Sequence, residues 1–149
     1  MDTEAILKAA SERARAMGLP YAGAVTPAEA YALLQQDPAA RLIDVRSRAE
    51  LDFVGRVPGS VEIEWRTYPG MVPNPDFLRQ LAAKVPQDAI ALFICRSGGR
   101  SHDTARAASQ AGYARAYNVL EGFEGDRDAG GHRNTVGGWR AAGLPWVQN

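Results

Sequence analysis

Hydrophobic residues fall along this chain in two rhythms. Between residues 3 and 17, Ile6, Ala10, Ala14 and Met17 recur at helical spacing, which predicts an amphipathic helix that Gly18 stops. Short apolar stretches then follow at residues 21–25, 41–45, 60–63, 89–94 and 116–120, each of a length suited to a buried strand. Helical signals fill the intervals. Thr26-Pro27-Ala28-Glu29 supplies an N-cap, a proline for the first turn and a capping-box glutamate, opening a helix through Leu33 and Leu34 that Asp37-Pro38 closes. Ser47-Arg48-Ala49-Glu50 repeats the capping box for a short helix through Leu51 and Phe53. Asn74-Pro75-Asp76 caps a helix expected to turn Phe77, Leu78, Leu81 and Val85 inward, with Pro86 as its end. After Ser101 an alanine-rich segment (Ala105, Ala107, Ala108, Ala111) reads as a helix ending at Gly112. Strands alternating with helices predict an α/β domain with a mainly parallel sheet of about five strands and helices on both faces.

Two stretches break the pattern. Residues 64–73, with Trp65, Tyr68, Pro69-Gly70 and Met71, read as a loop placed to overhang a site, its aromatics either shaping a pocket or pinning the loop. Residues 121–138 carry six glycines and Asp126-Arg127-Asp128, which begins like a calcium loop, but Gly130 and Gly137 stand where ligands are needed. His102 and His132 lack the spacing of a metal pair, so no metal site is implied.

Composition narrows the function. A chain of 149 residues fits one domain with a self-sufficient core. Seventeen basic against seventeen acidic residues give no net charge, which argues against a nucleic-acid or anionic-membrane surface. No stretch is long and apolar enough to span a bilayer, and Met1-Asp2-Thr3-Glu4 lacks a basic leader, so a cytoplasmic location is expected. The single cysteine forms no internal disulfide and agrees with a reducing compartment.

That cysteine stands in the most informative stretch. Six apolar residues, 89–94, run into Cys95, and Arg96-Ser97-Gly98-Gly99-Arg100-Ser101 follows. Read as strand, tight loop and helix, this places Cys95 at the carboxyl edge of the sheet, where open α/β folds bind their ligands. The glycines let the backbone curl so that N–H groups point inward. The helix N-terminus adds partial positive charge and Arg96 and Arg100 add full charges, an environment that favours thiolate over thiol. A packed core cysteine would need none of these neighbours. At the earlier strand end, Asp44 and Arg46 are placed to border the pocket mouth or to serve a structural ion pair or loop hydrogen bond, and the structural role is preferred for Asp44 because a carboxylate near Cys95 opposes the thiolate.

A strand ending in Cys95-Arg96-Ser97-Gly98-Gly99-Arg100-Ser101 resembles the active-site loop of the rhodanese-like sulfurtransferases. Ile43-Asp44-Val45-Arg46 followed by Glu50-Leu51, Phe53 and Gly55-Arg56-Val57-Pro58-Gly59-Ser60 is similar to a second motif of that family, from which Arg56 and Ser60 depart. The resemblance implies a rhodanese-like three-layer fold, a helical extension over residues 1–20 and one domain over residues 21–149. It implies sulfur transfer through a Cys95 persulfide, with Cys95 and Arg100 catalytic. Arg96, Ser97, Gly98, Gly99 and Ser101 would bind the donor, Ser97 giving a hydroxyl to the sulfur, and Asp44 and Arg46 would support the loop. The implied partners are a thiosulfate-like anion and an acceptor that is cyanide, a thiol or a protein; no cofactor is implied. Two other readings stand beside it. Related phosphatases and arsenate reductases use a longer Cys-x5-Arg ring against Cys-x4-Arg here, and a sulfur-carrier module would keep the reactive cysteine but serve a protein partner.

Overall fold

Every residue of strand β6, Ile90–Ile94, is buried, because it lies at the centre of the sheet. The structure is a computed structural model and describes residues 1–148; Asn149, the last residue of the expected domain, lies outside it. On one side β6 pairs with β2 (Ala40–Asp44), which continues to β3 (Val61–Glu62) at one edge. On the other it pairs with β7 (Ala116–Val119), which continues to β1 (Gly23–Val25) at the other edge. All four pairings are parallel, in the order β1-β7-β6-β2-β3. The expected α/β architecture is the one observed.

The period of two along each strand divides the core into two layers. Ile90, Leu92 and Ile94 face helices α1 (Thr3–Met17) and α2 (Pro27–Gln36), packing with Ile6, Ala10, Ala30 and Leu33. Ala91, Phe93 and Cys95 face the other way, toward α4 (Phe77–Lys84) and α5 (Gly99–Gln110), among Phe77, Leu81, Ala105 and Ala108. The cysteine therefore emerges on the α5 side of the sheet. Between β2 and β3 runs the short helix α3 (Arg48–Phe53). Both capping boxes form as read from the sequence, Thr26 with Glu29 and Ser47 with Glu50. Arg13 of α1 pairs with both oxygens of Glu29 at 2.6 and 3.0 Å and also donates to the Ala24 carbonyl, tying α1 to α2 and β1.

Several expectations need correction. Met17 is 55% exposed and Leu78 41% exposed, because each sits past the edge of its helix's inward stripe. Asp76 makes no side-chain cap on α4; Asn74 instead accepts from the Asp76 N–H and donates to the Glu64 carbonyl and Gln80, joining the preceding loop to the helix. Residues 64–73 hold a small antiparallel pair, β4 (Arg66–Thr67) with β5 (Val72–Pro73). Residues 139–142 form a turn, because Gly138 and Gly143, both with positive φ, bracket a segment too short to propagate a helix. Among the described residues, no helix is long and apolar enough to cross a membrane.

Candidate active site

The end of β6, the loop after it and the first turn of α5 together enclose one sulfur atom. Cys95 is 1% exposed, and its Sγ accepts from the Gly98 N–H at 3.2 Å and the Ser101 N–H at 3.4 Å. The loop can close so tightly because Gly98 takes φ +112°, a conformation that L side chains rarely adopt, and serves as the N-cap of α5. The helix thus begins two residues earlier than the sequence implied and points its positive end at the sulfur. A third partner, the Ser101 hydroxyl, stands 3.3 Å from Sγ. The two N–H groups and the helix end form a cradle for a sulfur anion, with the Ser101 hydroxyl beside it.

Arg100 turns away from the sulfur to grip Glu50 of α3 with two bonds of 2.6 and 2.9 Å. Burial works to lower the Arg100 pKa, but the Glu50 hydrogen bonds and charge overcome it, with smaller help from Cys95 and Asp44, and the guanidinium is held above its ordinary range. Glu50 shows the mirror image. Burial pushes its carboxyl up, and Arg100 with the Ser47 N–H and hydroxyl pulls it below the usual carboxylate range. The capping glutamate of α3 is therefore also the brace of the sulfur loop. The sequence marked Glu50 as a cap and as part of the second motif, but nothing in its spacing shows an Arg100 partner fifty positions away.

Asp44 and Arg46 do not border the pocket mouth: both are fully buried. Arg46 holds Asp44 through Nε and Nη2, the latter at 2.6 Å, donates to the Gly55 carbonyl at 2.9 Å and stacks 4.2 Å over the Phe123 ring. This pair locks the end of β2 to the turn after α3 and to the loop after β7. That last loop presses against the site as well. Phe123 and Glu124 donate their N–H groups to the carbonyls of Cys95 and Arg96, an approach that leaves no room for a side chain at Gly122, where a Cβ would lie 2.6 Å from the backbone of both.

Beside the loop, where Arg96 and Arg100 project, opens a cleft of about 550 Å³ lined also by Arg133, Val54, Tyr68 and Met71, with Glu50 at its side. Arg96 is exposed and, among the described residues, forms no ion pair. The hairpin of residues 64–73 borders this cleft through Tyr68 and Met71, and its aromatics divide the two roles: Trp65 packs edge-on to Phe77 at 5.1 Å, while Tyr68 lines the mouth. Ser97 borders a neighbouring hollow with Arg127 and Arg133, and no bond joins it to Sγ; the hydroxyl beside the sulfur belongs to Ser101. Gly99 is the first residue of α5 and also makes no bond to Sγ. His102 bonds Tyr21 and His132 pairs with Asp128, whose carboxylate organises the turn through Gly130, His132 and Thr135. A larger hollow, about 730 Å³, opens beside β3 among Arg48, Glu62, Glu64 and Lys84, and no residue of the cysteine loop lines it. Sequence reasoning also passed over Asn118, which accepts from the Ser101 hydroxyl at 2.6 Å.

Comparison with known proteins places this geometry. The rhodanese-like domain family matches residues 26–129. A protein of Rickettsia conorii is 34% identical over 124 residues, covering 79% of this chain and 91% of that protein. The crystal structure of an M. tuberculosis protein superposes with a TM-score of 0.80 at 45% identity, covering 87% of this chain and 99% of that one. The thiosulfate:glutathione sulfurtransferase of Saccharomyces cerevisiae is 32% identical over 83 residues, 54% of this chain and 59% of that protein. With the family match spanning most of the chain and the sulfur cradle formed by the residues that carry the resemblance, this protein belongs to the rhodanese-like domain family of sulfurtransferases.

Proposed function

We propose that the protein moves a sulfane sulfur from a thiosulfate-like anion to a thiol acceptor through a persulfide on Cys95. The Cys95 thiolate attacks the outer sulfur of the donor; the new S–S bond forms as the bond to the sulfonate sulfur breaks, and sulfite leaves with that electron pair. The persulfide anion then rests against the loop N–H groups until an acceptor thiolate takes its outer sulfur and Cys95 departs as thiolate. The observation that carries this reading is the convergence of the Gly98 and Ser101 N–H groups and the α5 N-terminus on one buried sulfur. Arg96, exposed and unpaired at the mouth, binds the donor anion, and Arg100, fixed by Glu50, adds positive charge without moving. The cleft is far larger than thiosulfate, and two arginines beside an apolar wall suit an anionic thiol of glutathione's size, the acceptor in the name of the yeast relative. The test is intact mass before and after thiosulfate, in wild type and Cys95→Ala. A gain of one sulfur, reversed by cyanide and absent in the variant, is expected; no gain refutes the reading.

One observation favours a second reading, a sulfur carrier whose acceptor is a protein. Tyr68 and Val72, 66% and 55% exposed, project from the hairpin beside the mouth as an apolar contact surface. Fast thiosulfate:cyanide turnover without any added protein counts against this second reading.

A further inference from the structure

A sulfur this deeply buried needs a partner for each protonation state it adopts. Its two backbone partners are donors in either state, so the third, the Ser101 hydroxyl, sets the balance. That hydroxyl carries one proton. Its oxygen lies 3.3 Å from Sγ but only 2.6 Å from Asn118 Oδ1.

The sheet explains why Asn118 presents its oxygen. Tyr117 and Val119 belong to the α1 and α2 layer, so Asn118 projects to the α5 side, in register with Phe93 beside Cys95. One amide hydrogen is given to the Gly98 carbonyl at 3.3 Å. With its amide nitrogen committed to that carbonyl, Asn118 turns Oδ1 to Ser101, and the hydroxyl proton points to Asn118.

We propose that Asn118 is a positioning residue for sulfur transfer: it holds the Ser101 hydroxyl proton away from Cys95, so that Ser101 receives the S–H of the resting thiol and withholds a donor from the thiolate. The proposal rests on Cys95 being the nucleophile. When the thiol ionises, its proton leaves to solvent, and the hydroxyl can turn to the sulfur only by giving up Asn118. The thiolate is then supported by the backbone N–H groups and by charge, and the resting cysteine is restrained from indiscriminate reaction. The charged groups around it are Arg96 on the loop, Arg100 of α5 with Glu50 of α3, and the Asp44–Arg46 pair after β2. None of these bonds Ser101 or Asn118, so they act alike in the variants below.

The test is the rate of Cys95 alkylation by iodoacetamide at pH 7, followed by intact mass, in the wild type, Ser101→Ala, Asn118→Ala and the double variant. Asn118→Ala should react about five- to tenfold faster, because the freed hydroxyl now donates to a sulfur anion, whereas Ser101→Ala should stay within about threefold of wild type. In the Ser101→Ala background, Asn118→Ala should add nothing. No acceleration in Asn118→Ala, or the same change in both backgrounds, overturns the proposal. A loss beyond about threefold in Ser101→Ala also overturns it, since the hydroxyl would already have been serving the thiolate, and this arm stands if Asn118→Ala fails to fold. Alkylation requires no sulfur transfer, so a chain that shows this pattern yet gains no sulfur from thiosulfate would lose the transferase reading and keep the role of Asn118.

Discussion

The Glu50–Arg100 brace is the most exacting test of how the sulfur loop is held. Glu50→Gln keeps the size of the side chain and its ability to cap α3, and removes the charge together with one of the two acceptor oxygens that the Arg100 nitrogens grip at 2.6 and 2.9 Å. Exposed pairs contribute about 0–1 kcal/mol, while breaking a buried pair costs about 3–5 kcal/mol. With side-chain exposures of 17% and 20%, this pair lies between those limits. A loss of about 1–3 kcal/mol is expected, or roughly 3–10 °C in Tm for a chain of this size. The pH dependence follows from the lowered Glu50 carboxyl: the stabilisation is fully present above the ordinary carboxylate range and is lost as pH falls through the depressed folded-state value. The Tm gap between wild type and Glu50→Gln should therefore be constant from neutral pH down to about pH 5.5 and narrow below about pH 4.5. Thermal unfolding by circular dichroism across that range measures it. Equal Tm values at pH 7, or a gap that widens on acidification, would refute the assignment of this pair as the loop's brace.

Arg96→Ala should raise the KM for thiosulfate with little change in kcat, since Arg96 touches the ligand side of the loop and not the cradle; steady-state thiosulfate:cyanide kinetics check this, and an unchanged KM removes Arg96 from donor binding. Arg46→Ala leaves Asp44 as an unpaired buried carboxylate and should cost about 3–5 kcal/mol in urea unfolding. Replacing Asp44 and Arg46 together with apolar residues should cost less than Arg46→Ala alone, and the reverse order would contradict the buried-pair account.

The order of elements was legible because local patterns specify it. Capping boxes at Thr26 and Ser47 and strand-length apolar runs need only neighbours in the chain, and they identify α2, α3 and β6 from a few residues each. Cys95 with its diglycine and arginines was legible for the same reason: loop and helix start form one continuous segment. Where the sequence misled, the deciding contact was distant or the signal was short. Leu78 fits an inward stripe by spacing, yet it stands past the edge of the α4 face that buries Phe77 and Leu81.

The sequence by itself determined the alternation of strands and helices, the place of Cys95 at the end of a buried strand and the charges carried by its loop, since each is written within a dozen consecutive residues. Only the tertiary structure decided which of those charges stays free. It joined Arg100 to Glu50, buried Arg46 against Asp44 and Phe123, left Arg96 at the mouth, and brought Asn118 from the neighbouring strand to the Ser101 hydroxyl. Such pairings depend on sheet order and register, which bring residues remote in sequence within hydrogen-bond range and which no local periodicity encodes.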